Sequence, residues 1–189
     1  MATHYILQYQ KQHNDRIFRT EIFYKKYNHL YKTNTDNFGR LLASDNSGFG
    51  YAQGVEIFWR DKKTFKNLDY WVSYSYLDTK RNYLNFPFEM TPNFAAKHTA
   101  SLVVKKFVLP WKMGFNASYN FATGRPYYNL QYNSTQNKYT LADAGTTINY
   151  NNLSFSLNYL PHLGDTKRKS FLVWVVSLSN VLGQKQIYT

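Results

Sequence analysis

The chain has 189 residues and a formal charge of +12, with 18 Tyr, 14 Phe and no Cys. That length suits one domain spanning 1–189, and the missing thiols exclude a disulfide framework or a thiolate zinc site. No run of about 18 apolar residues occurs, which excludes a transmembrane helix.

Taken in chain order, the opening MATHYILQYQKQ has no basic leader ahead of a long apolar stretch, so it does not read as a signal peptide. Period-two alternation or high β-propensity then marks eight strands, at 4–11, 17–27, 51–60, 69–77, 99–107, 112–122, 152–160 and 170–178. No convincing helix is expected, and 94–97 is at most one turn. The connections at 12–16, 61–68, 108–111 and 161–169 are short, whereas those at 28–50, 78–98 and 123–151 are long and polar. Compact domains rarely carry three structureless loops of that size. Outer-membrane barrels do, with short turns on the periplasmic side and long loops outside.

Charge distribution argues against a nucleic-acid partner. Twelve of the 23 basic residues, Lys11, Arg16, Arg60, Lys62, Lys63, Lys66, Lys105, Lys106, Lys112, Lys167, Arg168 and Lys169, cluster at the short connections. They form a solvated rim and not a stripe interleaved with stacking aromatics.

The strands have two unlike faces. In GFNASYNFA (114–122), Phe115, Tyr119 and Phe121 oppose Asn116, Ser118 and Asn120. Elsewhere Val55, Ile57, Tyr74, Leu153, Phe155 and Leu157 oppose Glu56, Ser73, Ser75, Ser154, Ser156 and Asn158. In a barrel the large apolar set faces lipid and the small polar set faces a wet lumen. In a soluble sheet the same pattern has the opposite meaning. Glu21 and Glu56, on strands, are expected on the lumen side, paired with Arg19 or Lys25 or touching a plug. Tyr5, Trp59, Trp71, Trp111, Tyr127 and Tyr128 suit interfacial girdles.

Several stretches carry a resemblance: GVEIFWR (54–60), WVSYSYLDTKR (71–81), NFAAKHTASL (93–102), ATGRPYY (122–128) and SLSNVLGQKQIY (177–188). In order and spacing they resemble the C-terminal part of the barrel of TonB-dependent outer-membrane receptors in the form common among Bacteroidota. The resemblance implies an all-β, antiparallel, up-and-down transmembrane barrel segment, about eight strands of a barrel of about 22 around a plugged lumen. It further implies a bacterial outer-membrane location and uptake of a scarce nutrient (siderophore, vitamin or glycan), driven through a plug domain by the TonB complex. The plug and the TonB-contact segment have no counterpart in these residues. Strand parity fits strands fourteen to twenty-one, with outer-membrane lipid, the plug and the remaining barrel strands as partners. Two alternatives are a self-standing eight-stranded outer-membrane barrel, acting as adhesin or channel, and a soluble basic β-sheet binding protein.

Nothing points to catalysis or to a cofactor. The five histidines have no ligand spacing, and no G-x-S-x-G, P-loop or H-E-x-x-H occurs. GFGYAQG (48–54) has glycines, but at the wrong spacing for a dinucleotide loop, and is expected to be a hinge. The stretch RPYYNLQYNSTQN (125–137) is the candidate ligand-facing loop, through Arg125, Tyr127, Tyr128, Gln131 and Asn133.

Overall fold

Alternating apolar and polar residues, rich in Tyr, Phe, Val and Thr, drive these segments into strands because each face then meets a matching environment. A computed structural model describes residues 1–36, 38, 40–136, 138–165, 167 and 170–185. Among these residues ten strands run β1 (Ala2–His13), β2 (Arg16–Thr35), β3 (Leu41–Asp61), β4 (Leu68–Asn82), β5 (His98–Val108), β6 (Met113–Ala122), β7 (Pro126–Asn133), β8 (Lys138–Thr146), β9 (Tyr150–Tyr159) and β10 (Trp174–Leu178). Eight form one antiparallel sheet in the order β1-β2-β3-β4-β5-β6-β9-β10, and β7 and β8 form a separate hairpin. Among the described residues β1 and β10 are the sheet's two edges and do not pair with each other.

All eight expected strands are present, with different ends. The strand expected at 170–178 is shorter, beginning at Trp174, and Arg168 and Lys169 of its approach lie outside the described residues. The connection 28–50 is not a loop for most of its length. Strands β2 and β3 continue through it as a long hairpin, with irregularities between Asn28, Leu30 and Lys32 and a left-handed backbone at His29. The connection 123–151 likewise contains the β7–β8 hairpin. Register shifts break the alternation of the first stretch, and Asp143 and Gly145 interrupt that of β8, whereas β7 does alternate, with Tyr128, Leu130 and Tyr132 against Asn129, Gln131 and Asn133.

The short connections are tight for local reasons. Asn14 and Asp15 both adopt positive φ, at 46° and 60°, which joins His13 to Arg16 in a two-residue turn that matches strand twist. Pro110 sits within the three-residue 3-10 turn Leu109–Trp111, and Lys112 at φ 52° redirects the chain into β6 instead of opening it as expected. At the third turn Asp61, only 2% exposed, accepts bonds from the amides of Lys63 (2.7 Å) and Thr64 (2.9 Å), from the Thr64 hydroxyl (2.5 Å) and from Arg16 Nε (3.0 Å). Burial alone would raise the Asp61 pKa, but these donors and the Arg16 charge hold its carboxyl well below the usual carboxylate range.

At the opposite end the long connections touch one another. The Tyr139 hydroxyl of β8 donates to the Asp36 carbonyl (2.9 Å) and accepts from Thr35 (3.1 Å). The Tyr128 ring of β7 meets Phe86 edge-on at 6.0 Å in the β4–β5 connection.

Candidate functional site

Register decides which side chains share a face. Val55 stands opposite Tyr76, Ile57 opposite Tyr74, and Tyr74 opposite Ala100, which in turn faces Phe121. The same counting carries Phe115, Tyr119, Leu153, Phe155 and Leu157 to that one side, with Val176 and Leu178 of β10 beside them. Glu56, Ser73, Ser75, Asn116, Ser118, Asn120, Ser154, Ser156 and Asn158 all fall on the other. The two sets marked in the sequence are therefore two continuous faces across the strands. Many large side chains of the apolar face are exposed, including Val72, Tyr74, Leu102 and Phe155.

The polar face is built in zones. Across β5, β6 and β9 its small side chains bond across and along strands: Ser101 Oγ to Asn120 Oδ1 (2.8 Å), Asn116 Nδ2 to Ser156 Oγ (3.0 Å) and Ser154 Oγ to Asn152 Oδ1 (3.1 Å). Towards the short turns, Trp71 is flanked by Arg60 at 5.3 Å and Lys105 at 5.0 Å from its ring centre. Arg60 in turn forks onto Asp69 at 2.9 and 2.6 Å. Trp71 thus sits on the polar face among cations, not in an outward girdle with Trp59, because its parity is that of Ser73.

Further along β3, Gly48, Gly50, Ala52 and Gly54 present a stripe of minimal side chains, all buried. A Cβ at Gly54 would collide with the Tyr76 carbonyl and the Phe23 ring, and one at Gly50 with Lys80 and Arg81. GFGYAQG is therefore not a hinge: it is strand, kept small so that Phe23 and Arg81 can lie over it. Arg81 is ringed by Tyr27, Tyr83 and Phe94, at 4.6, 5.8 and 5.4 Å.

Between these zones a cavity of about 570 Å³ opens on the polar face towards the long connections, within the range of small-ligand sites. Its floor includes Ser73, Ser75, Thr99, Ser101 and Asn120, one flank carries Arg19, Glu56 and Phe58, and the other carries Arg125, Asn149, Tyr150 and Lys185. The expected pairing of Glu21 and Glu56 with Arg19 or Lys25 is absent among the described residues. The two glutamates oppose each other across β2 and β3, while Arg19 lies over Phe58 (5.6 Å) and Lys25 over Phe23 (5.0 Å).

Of the five loop candidates only Arg125 lines this cavity. Tyr128 is turned to the β4–β5 connection, where burial raises its hydroxyl pKa and hydrogen bonds with Thr91 pull it back. Tyr127 covers Gly145, and Gln131 pairs within the β7–β8 hairpin. Asn133 accepts from the amides of Thr135 and Gln136 and so forms the hairpin's turn. Asn137 lies outside the described residues. Thr99 and Ser101 follow the alternation already visible in HTASLV. Asn149 and Lys185 had no such signal, since the fold alone brings them to the site. Among the described residues no group of three His, Asp or Glu could hold a metal ion.

Neither the models of known protein families nor the curated proteins give a match to this chain. Among solved structures the chain is similar to the outer membrane transporter YddB from Escherichia coli, with a TM-score of 0.69 at 13% identity. The likeness covers 97% of this chain but 29% of the transporter, so the chain spans under a third of that protein's length. At that identity the likeness concerns the fold: an eight-stranded antiparallel sheet similar to part of an outer-membrane transporter.

Proposed function

We propose that this chain is a wall segment of an outer-membrane transporter barrel of the TonB-dependent kind, with its apolar face on the lipid of the bacterial outer membrane and its polar face on the lumen. The observation that carries this reading is the segregation of the two faces across β3, β4, β5, β6 and β9, departed from chiefly near the strand ends, by Phe58, Trp71 and Val103 on the polar side and Lys106 and Asn151 on the apolar side. Exposed Val72, Leu102 and Phe155 on one side suit hydrocarbon, and a lattice of Ser and Asn on the other suits water. The unpaired edges at β1 and β10 support a segment continued by further strands, because unpaired backbone groups in lipid cost several kcal/mol each. In this reading the segment itself performs no chemistry. It forms the wall and outer vestibule through which a scarce polar nutrient enters, with a plug and the TonB complex as the partners that drive uptake.

Because these residues include no cysteine, nitroxide labels can be placed singly at Ser154, Phe155, Ser156 and Leu157 of the full-length protein in lipid vesicles. Labels at Phe155 and Leu157 will collide with oxygen dissolved in lipid, and labels at Ser154 and Ser156 with a water-soluble nickel chelate. Equal accessibility at all four positions overturns the assignment.

A further inference from the structure

The cavity's charge is unevenly placed. On the flank beside β2 and β3 the cation Arg19 is accompanied by Glu56, with Glu21 directly opposite Glu56 across the ladder. On the other flank Arg125 and Lys185 both line the cavity, and no acidic residue lines it there. Three strand spacings, roughly 14 Å at about 4.8 Å each, separate the strand of Glu56 from β6, which leads into Arg125.

One residue, Asn149, bonds a chain neighbour of each cation. Asn149 Oδ1 accepts the amide of Gly124 (2.9 Å), and the Asn149 carbonyl accepts Gln184 Nε2 (2.5 Å). Arg125 is further fixed by its amide on Thr147 Oγ1 (2.9 Å) and its carbonyl on the Thr147 amide (2.9 Å). Gly124 is required there, since a Cβ would run into the Thr147 carbonyl. The segment bearing Lys185 is turned back to the sheet by Asn180, at φ 52°, which takes Asn152 Oδ1 with its amide (3.1 Å) and the Gln184 carbonyl with its side chain (3.0 Å). Backbone and amide side chains thus do the positioning. Among the described residues neither Arg125 nor Lys185 has a salt bridge.

We infer that Arg125 and Lys185, which line one flank of the cavity and whose neighbours Gly124 and Gln184 both bond Asn149, form the anion-binding end of a site for a small hydroxyl-rich solute carrying a carboxylate, whose body lies on Ser75, Thr99, Ser101 and Asn120. A guanidinium fork and an ammonium point charge lining one cavity suit an oxyanion, and the hydroxyl and amide floor supplies donors and acceptors for a polyol. The inference rests on the transporter reading, in which this face meets solute.

The test is calorimetric binding of D-glucuronate and D-glucose to the full-length protein in detergent at low salt, since the two probes differ at one carbon in carboxylate against hydroxyl. Glucuronate is expected to bind at least 10-fold more tightly than glucose. Arg125→Gln and Lys185→Gln should each weaken it at least 5-fold, and Lys138→Gln, an exposed cation of β8 outside the cavity, less than 2-fold. Matching strand content by circular dichroism identifies folded variants. Equal binding of the two probes, no binding of glucuronate, or a Lys138→Gln loss as large as that of Lys185→Gln overturns the inference. Failure here with alternating label accessibility in β9 refutes the anion site alone, whereas equal accessibility refutes the transporter reading itself.

Discussion

The two faces of the sheet are specified to different degrees. The apolar face is repetitive: Tyr, Val, Leu and Phe fill most of its positions, and cross-strand neighbours such as Leu102–Tyr119–Leu153 are interchangeable in kind. The polar face is individual. Its glycines sit where Phe23 and Arg81 cross the strand, its Trp71 sits between two cations, and its serines and asparagines bond to named partners. On the proposed reading the first face meets hydrocarbon and has only to be apolar, while a face that packs and bonds within the protein has to fit residue by residue.

The contrast is broken most directly at adjacent residues of β9. Phe155→Lys puts a charge on the apolar face and is expected to cost about 2–4 kcal/mol in lipid, whereas Ser156→Lys is expected to cost within about 0.5 kcal/mol. Urea titration of folding into lipid vesicles measures both, and equal losses would remove the distinction between the faces. The next effect belongs to the polar face. Gly54→Val drives a side chain against the Tyr76 carbonyl and the Phe23 ring, for about 1–3 kcal/mol. Its neighbour on the apolar face, Val55→Leu, should change stability by less than half of that. A Gly54→Val protein as stable as the parent would mean that Phe23 has room to move aside.

This difference in specification also explains what the sequence disclosed. Strand periodicity is local, so β3, β4, β5, β6 and β9 and both of their faces could be read from consecutive residues. The β7–β8 hairpin was only half visible, because β7 alternates but KYTLADAGT is interrupted by Asp143 and Gly145, and its docking by Tyr139 on Asp36 joins residues 103 apart. The cavity was half legible. Ser73, Ser75 and Asn120 follow the alternation, whereas Asn149 and Lys185 reach it through turns at Asn180 and Thr147 that leave no periodic trace. The glycines of GFGYAQG are visible in the sequence, but a period-two stripe of small residues has meaning only once the side chain covering each is known.

Smaller effects compare the two ends of the sheet. At the long-connection end, Tyr128→Phe removes the hydroxyl that bonds with Thr91 but keeps the ring on Phe86. It is expected to cost about 0.5–1.5 kcal/mol, seen as faster amide exchange in β7 and β8 with β3 to β6 unchanged. Exchange that quickens throughout the sheet would show that the hairpin is not a separate layer.

The short-turn end responds instead to acid. The Asp61 pKa is depressed in the folded protein, so the stability it contributes is fully present above the unfolded carboxylate pKa of about 3.9 and is lost as pH falls through the lower folded value. Asp61→Asn removes that charge and its pairing with Arg16 but leaves an oxygen for the Lys63 and Thr64 amides. The variant should therefore unfold at lower urea than the parent at pH 7, and the gap should narrow as the pH is taken from 5 to 3. A gap that stays constant over that range would mean that the turn is held by geometry, with the Arg16–Asp61 charge pair contributing nothing, and the two ends of the sheet would then differ only in the length of their connections.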